Sequence, residues 1–405
     1  GNLTRHRFER AMMRSAARLT YDQLQAAQDG RPDDVTDVLI KDVIAPLYGA
    51  YAALSRNRRA RGVLDLDLPE RKVIINDRGT VAEIALRERF DSHRLIEEFM
   101  ITANVAAAEA LEKKSLPCMY RIHDQPSPTK VAGLSDALET IGLKIAKGQV
   151  MQSSIFNQIL TKAKGGPFER MVQELVLRSQ AQAEYSPDNI GHFGLALRRY
   201  CHFTSPIRRY SDLLVHRALI RGGRMGDGAL ETDHKDFAEM GQHLSFTERR
   251  AAAAERASVD RFTTQFLADR VGATFIGRIN GVTRFGLFIT LSDTGADGLI
   301  PIRSLPDDYY IHDEAHHRLR GRSNGKTYVL GEAVEVRLVE ARPLTGGMIF
   351  ELMDGGGRSA GGNARGRFTP GARPTGGGRK KSGRSGGKDK SKKGRGKKPG
   401  KPARG

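Results

Sequence analysis

The chain has only two cysteines in 405 residues, Cys118 and Cys201, in no paired-thiol spacing. That excludes a disulfide framework and points to a reduced, cytoplasmic setting. Apolar runs are short, and none approaches the ~20 residues that cross a membrane as a helix, so no membrane partner is expected. The opening GNLTRHRFER (1–10) has no apolar stretch of the kind a secretory leader needs. Internal repeats are missing too. Acidic residues are scarce in one place: residues 355–405 hold 17 Lys and Arg against one Asp, so +16 of the +19 net charge sits there. Residues 1–354 carry 49 basic and 46 acidic side chains, an ordinary balanced surface.

What is present divides the chain into three regions. Residues 1–270 read as mainly helical. Thr20 followed by Gln23 forms a capping box that opens a helix ending at Gly30. Helical spacing continues over Val38–Leu54. Val63–Ile75 alternates like a strand pair, with a turn at Asp77-Arg78-Gly79. His93–Leu111 is the clearest helix, with Leu95, Ile96, Phe99, Met100, Ala103 and Ala107 on one stripe. Further helices are predicted over Ser135–Ile145, Ser154–Lys162, Phe168–Ala181 and Ser245–Val271, the last opened by a box of Ser245 and Glu248. Residues 271–354 change period. Strands at Thr274–Ile279, Gly286–Leu291, Gly298–Ile302, Ala333–Val339 and Met348–Leu352 suit a five-stranded OB-fold barrel. Residues 355–405 lack the apolar surface to offset the entropy of ordering and are expected to be disordered. The predicted class is therefore α+β and multidomain.

The string HFTSPIRRYSDLLVHR (202–217) carries the strongest chemical signal. Thr204 or Ser205 can cap a helix with Pro206 at its first position. Ile207, Leu213 and Leu214 would take the apolar side, with Tyr210 at its margin. Arg208 and Arg209 then fall in the first turn, where cations oppose the helix dipole. An arriving phosphate would reverse that penalty, because N–H groups, a hydroxyl and a guanidinium fork would converge on it. A salt-bridged surface turn is the structural alternative.

Together with RSAARLTYDQ (14–23), RLIEEFMITAN (94–104), YRIHDQPS (120–127) and FTERRAAAAER (246–256), this string resembles the signature segments of the RNB family of exoribonucleases, in the family's order. The resemblance implies 3′-to-5′ processive hydrolysis of RNA to nucleoside 5′-monophosphates with magnesium. It implies Arg208 as the catalytic arginine, with Thr204, Ser205, Arg209 and Tyr210 supporting the phosphate or the turn. Adjacent helical residues point ~100° apart, so only one of Glu97 and Glu98 can face a channel; Glu97 is the candidate contact to the last riboses. His202, His216 and Arg217 carry no firm role, since a buried histidine bonded to a carbonyl is the commoner fate of such a residue.

The family's magnesium ligands form a DxxxxxDxDD pattern that does not occur here. Asp33, Asp34, Asp37 and Asp42 have the wrong spacing, and Asp65 and Asp67 lack partners. No metal ligand is therefore assigned, and the chain reads as the family sequence cut partway through its catalytic domain. In GRINGVTRFGLFITL, Phe285 and Phe288 fall where such barrels stack bases, with Arg284 as a backbone contact. Their i, i+3 spacing puts them on opposite faces of a regular strand, unless Gly286 breaks the alternation with a bulge. Pro301 stands where the module often has His, and ARPLTGGM lacks its usual Asp and Arg. The basic tail attracts RNA by counterion release. The expected partners are RNA with a single-stranded 3′ end and the ribosome or RNA-degradation machinery, with the chain itself a monomer. The rival expectation is a noncatalytic RNA-binding chain acting through barrel and tail.

Overall fold

The computed structural model describes residues 1–353, apart from 146–150, 167, 232–235 and 315. The basic tail lies outside the described residues.

Helix α1 (Tyr21–Gln28) opens on the expected box: the Thr20 hydroxyl accepts from Gln23 N–H, and the Gln23 side chain accepts from Thr20 N–H. Asp33 caps the short α2 (Asp34–Asp37). The helix expected over Val38–Leu54 is interrupted. A π-helical turn at Ile40–Ile44 precedes α3 (Ala45–Arg61), with Pro46 in its first turn, where a missing N–H is harmless. Residues 63–70 are not the first arm of a strand pair. Their backbone instead bonds outward, Leu64 N–H to Gly194 O, Asp65 N–H to Asn157 and Asp67 N–H to Gln173. The hairpin is β1 (Arg71–Ile75) with β2 (Val81–Leu86).

Next come α4 (Asp91–Glu112), β3 (Tyr120–Ile122), α5 (Pro128–Glu139), α6 (Ser153–Ala163), α7 (Glu169–Ser179), β4 (Glu184–Ser186), α8 (Tyr210–Gly223) and α9 (Phe237–Ala268). α5 starts seven residues before the expected Ser135, because Ser127 caps Lys130 N–H and Pro128 takes the first position. Ser245 opens nothing: it lies inside α9, donates to Gly241 O four residues back and accepts Tyr185 N–H. Glu248 pairs with Arg121 at 2.6 Å, so the second capping box does not exist.

β5 (Thr274–Thr283), β6 (Gly286–Leu291) and β7 (Asp297–Pro301), with the later β11 (Ala333–Arg342) and β12 (Gly347–Leu352), close a barrel in the order β11-β12-β7-β6-β5. β12 joins β7 in parallel and the other pairings are antiparallel. Three short strands missing from the sequence reading, β8 (Tyr310–Asp313), β9 (Arg318–Gly321) and β10 (Thr327–Val329), form a separate antiparallel sheet between β7 and β11. Its buried Tyr310, Leu319 and Tyr328 join the barrel core of Ile279, Leu287, Ile289, Val336, Leu338 and Phe350. Met171 of α7 and Leu267 of α9 are buried in that same core. The Arg71–Asp260 ion pair, 2.7 Å, adds a polar tie between the β1–β2 hairpin and α9. No described helix is long and apolar enough to cross a membrane.

Candidate nucleic-acid interface

The segment from Tyr200 to Arg209 is fixed at both ends, leaving its tip exposed. Buried Asn104 of α4 holds the entry: its side-chain N–H donates to Tyr200 Oη at 2.9 Å, and its Oδ1 accepts Phe203 N–H at 2.9 Å. Cys201 Sγ donates to Asn104 O, and Arg121 N–H donates to Tyr200 O. From α8, His216 Nε2 donates to Phe203 O at 2.8 Å while its ring stacks on Phe203, centroids 4.3 Å apart and planes 12° apart. His216 thus has the structural fate common to buried histidines.

The exit is held by Asp212. Its carboxylate is fully buried and accepts Arg209 Nε and Nη2, both at 2.8 Å, Ser205 N–H at 2.8 Å and Ser211 Oγ at 3.1 Å. These bonds redraw the expected helix start. Arg209 takes an extended backbone (φ −128°, ψ 120°), and α8 begins at Tyr210, not at Pro206. Residues 205–209 form a separate turn in which the N–H groups of Arg208 and Arg209 donate to Ser205 O. Neither Thr204 nor Ser205 caps α8, and Asp212 supplies the negative charge its first turn favours. Ile207 is fully exposed rather than on the apolar side, and Tyr210 and Leu213 are exposed as well, whereas Leu214 is buried.

The two adjacent arginines therefore do different things. Arg209 is consumed by Asp212. Arg208 is exposed, and among the described residues its guanidinium has no hydrogen bond or ion pair. The Thr204 hydroxyl is enclosed without a hydrogen-bond partner. Behind the turn lie buried aromatics and histidines. Tyr185 Oη is hydrogen-bonded to His202 Nδ1 at 2.9 Å, and Arg121 lies 4.7 Å from the Tyr185 ring centroid. Burial pushes His202 down to about 3, reinforced by Arg209 and Arg121. Burial also lowers His192 to about 3, with His123 and Arg121 adding repulsion. Both are therefore neutral at pH 7.

Glu97 and Glu98 lie in a second feature, a cleft of about 970 Å³ between α3, α4, α6 and α7. Arg208 is not among its lining residues, so the turn and the acidic pair do not share this cavity. Glu98 is buried and pairs with Arg58 at 2.7 Å. Glu97 is the partly exposed member, as the ~100° offset requires, and pairs with Arg89 and Arg58. Asp65 and Asp67 face Arg58 and Arg89 as well. Every one of these carboxylates is matched to a guanidinium. Among the described residues no group of three His, Cys, Asp or Glu side chains could hold a metal ion. The described residues do not fit a magnesium centre.

On the barrel, Phe285 and Phe288 are 63% and 42% exposed, so the expected split between core and surface does not occur. Phe285 sits in the β5–β6 turn rather than on the strand, which removes the alternation argument. Phe288 faces Gly281, where register shifts by one residue on β5. Gly286 makes the turn possible: its φ is +146°, and a Cβ there would lie 2.0 Å from Ile300 O. Arg284 lies 4.8 Å from the Phe285 ring centroid, a cation–π contact that preorders the ring.

A helical scaffold that presents an arginine turn is thus joined in one chain to a small barrel with two exposed phenylalanines. Residues 1–222 match the RNB domain and residues 268–352 the S1 RNA binding domain, and the chain belongs to the RNB family. Among its relatives, ribonuclease R of Aquifex aeolicus is 40% identical over 357 residues, covering 87% of this chain and 50% of that protein. Ribonuclease R of Escherichia coli is 40% identical over 351 residues, covering 84% and 43%. The chain thus spans about half the length of the relatives it matches. Among solved structures, Mycoplasma genitalium RNase R in complex with ribose-methylated single-stranded RNA aligns with a TM-score of 0.77 at 27% identity, covering 82% of this chain and 53% of that one.

Sequence reasoning named Arg208 and the two phenylalanines but missed Asn104, Asp212 and the Arg121–Glu248 pair. Asp212 had one available signal, an acid three residues after an arginine at a helix start.

Proposed function

We propose that this chain supplies the phosphate-gripping turn and the strand-holding barrel of a cytoplasmic, magnesium-dependent 3′-to-5′ exoribonuclease that processively releases nucleoside 5′-monophosphates. The observation carrying this reading is the unpaired Arg208 beside the buried Arg209–Asp212 pair. A guanidinium with no protein partner, on a turn fixed at both ends, can fork onto two phosphoryl oxygens without reorganising. The enclosed Thr204 hydroxyl adds a donor whose isolation costs about 1–3 kcal/mol until a partner arrives. Ser205 and Arg209 set the turn, Tyr210 flanks it, Glu97 would meet a ribose, and Phe285, Phe288 and Arg284 would hold bases and backbone upstream. The RNA complex of the M. genitalium neighbour supports the choice of ligand. The proposed domain limits are 1–270, 271–354 and 355–405, acting as a monomer on RNA 3′ ends, with the ribosome or RNA-degradation machinery as further contacts.

The test is incubation of the chain with 3′-labelled single-stranded RNA and magnesium. Mononucleotide release that Arg208→Ala abolishes supports the reading and requires metal ligands beyond the described residues, which hold no metal-binding group of their own. A second reading, noncatalytic RNA binding, is favoured by the arginine-paired carboxylates of the cleft. It predicts retention of the RNA with no magnesium-dependent release.

A further inference from the structure

The β8–β9–β10 sheet has two unlike faces. Tyr310, Leu319 and Tyr328 point into the barrel core and are buried. The opposite face presents Tyr309, 70% exposed, Ile311, Arg320 and Arg322, all on the solvent side. Register places Ile311 beside Arg320, and Arg322 N–H donates to Tyr309 O, so the residues interleave across the two strands. Among the described residues neither the Arg320 nor the Arg322 guanidinium has a hydrogen bond or ion pair. The neighbouring acids are largely engaged: Asp313 pairs with Arg318 and His316, and Asp308 accepts the N–H groups of Tyr309, Ser323 and Asn324. Asp307 and Glu314 stand exposed beyond the two ends of β8.

We propose that this outer face is a second contact surface for single-stranded RNA, with Arg320 and Arg322 gripping successive backbone phosphates and Tyr309 stacking a base. It rests on the reading of the chain as RNA-binding. Alternate strand residues lie about 6.7 Å apart, a spacing close to that of successive phosphates on an extended strand. A free arginine ladder beside an exposed aromatic ring is the composition of a sequence-tolerant single-strand platform. From its inner side the sheet is tied to the barrel strand that leads into the aromatic turn. His312 of β8 donates from Nε2 to Val282 O at 3.2 Å, near the end of β5, and Ile302 N–H donates to Phe285 O.

The test uses the full chain and a fluorescent oligouridylate, with affinity measured across a potassium chloride series. Removing two phosphate contacts by Arg320→Gln with Arg322→Gln lowers the slope of log K against log salt by about 1.4. The matching double substitution to Lys leaves the slope near that of the parent. In parallel, 4-thiouridine in the same oligomer crosslinks to the peptide containing Tyr309. If the parent binds but the Gln variant has an unchanged slope and Tyr309 stays unlabelled, the inference fails while the RNA-binding reading stands. If the Gln variant changes self-association but not the RNA slope, the face contacts protein and the inference fails. A parent that binds no oligouridylate overturns both.

Discussion

The turn at Pro206–Arg208 and the hairpin turn at Arg284–Phe285 both lift a ligand-ready side chain off a fixed base, but they are fixed by different forces. The arginine turn depends on one buried carboxylate, Asp212, that collects four hydrogen bonds. The aromatic turn depends on backbone pairing around a closed barrel and on a glycine that no side chain can replace. A support built from charge is vulnerable to the loss of one partner. One built from close packing is vulnerable to added volume.

Four experiments sharpen this comparison. The largest effect falls on the charge-built turn. Arg209→Met strands the buried Asp212 and costs about 3–5 kcal/mol in denaturant unfolding. At the barrel the equivalent blow is steric: Gly286→Ala costs about 2–4 kcal/mol, because the Cβ meets Ile300 O and the backbone sits at positive φ.

Acid separates the regions further. His192 and His202 bind protons near 6.5 when unfolded but only near 3 when folded. The unfolded state therefore holds more protons between those values. The stability these residues contribute is full above pH 6.5 and falls on acidification, by about 1.4 kcal/mol per pH unit for each histidine. A melting series from pH 7 to 5 reads this, and His202→Phe flattens it. A series as steep in that variant contradicts the assignment. On the ligand side, Phe288→Ala weakens single-strand binding by about 1–3 kcal/mol, measured by fluorescence titration, with no dependence on base identity.

These contrasts also explain what the sequence could and could not reveal. Thr20 and Gln23 act within one turn, so their box is visible in the letters. β5 and β11 run ten residues each, and Gly, Asp and Pro punctuate the barrel strands, so their places were legible. β8, β9 and β10 are three or four residues each, too short to show a period. Ser245 and Glu248 have the spacing of a cap, but Ser245 is occupied by Tyr185, a partner 60 residues away. The same holds at the site. Arg208 was legible because its motif is local. That Arg209 would be consumed, and that Asn104 would hold the approach from 99 residues away, depends on how α4 and α8 pack.

The smallest expected change in stability tests the central claim most directly. Arg208→Ala is measured twice on the full chain, by thermal unfolding and by the salt dependence of single-stranded RNA binding. The account predicts a stability within about 0.5 kcal/mol of the parent, with a log K against log salt slope lower by about 0.7. A slope equal to the parent's, or a melting temperature that falls as far as that of Arg209→Met, would contradict it.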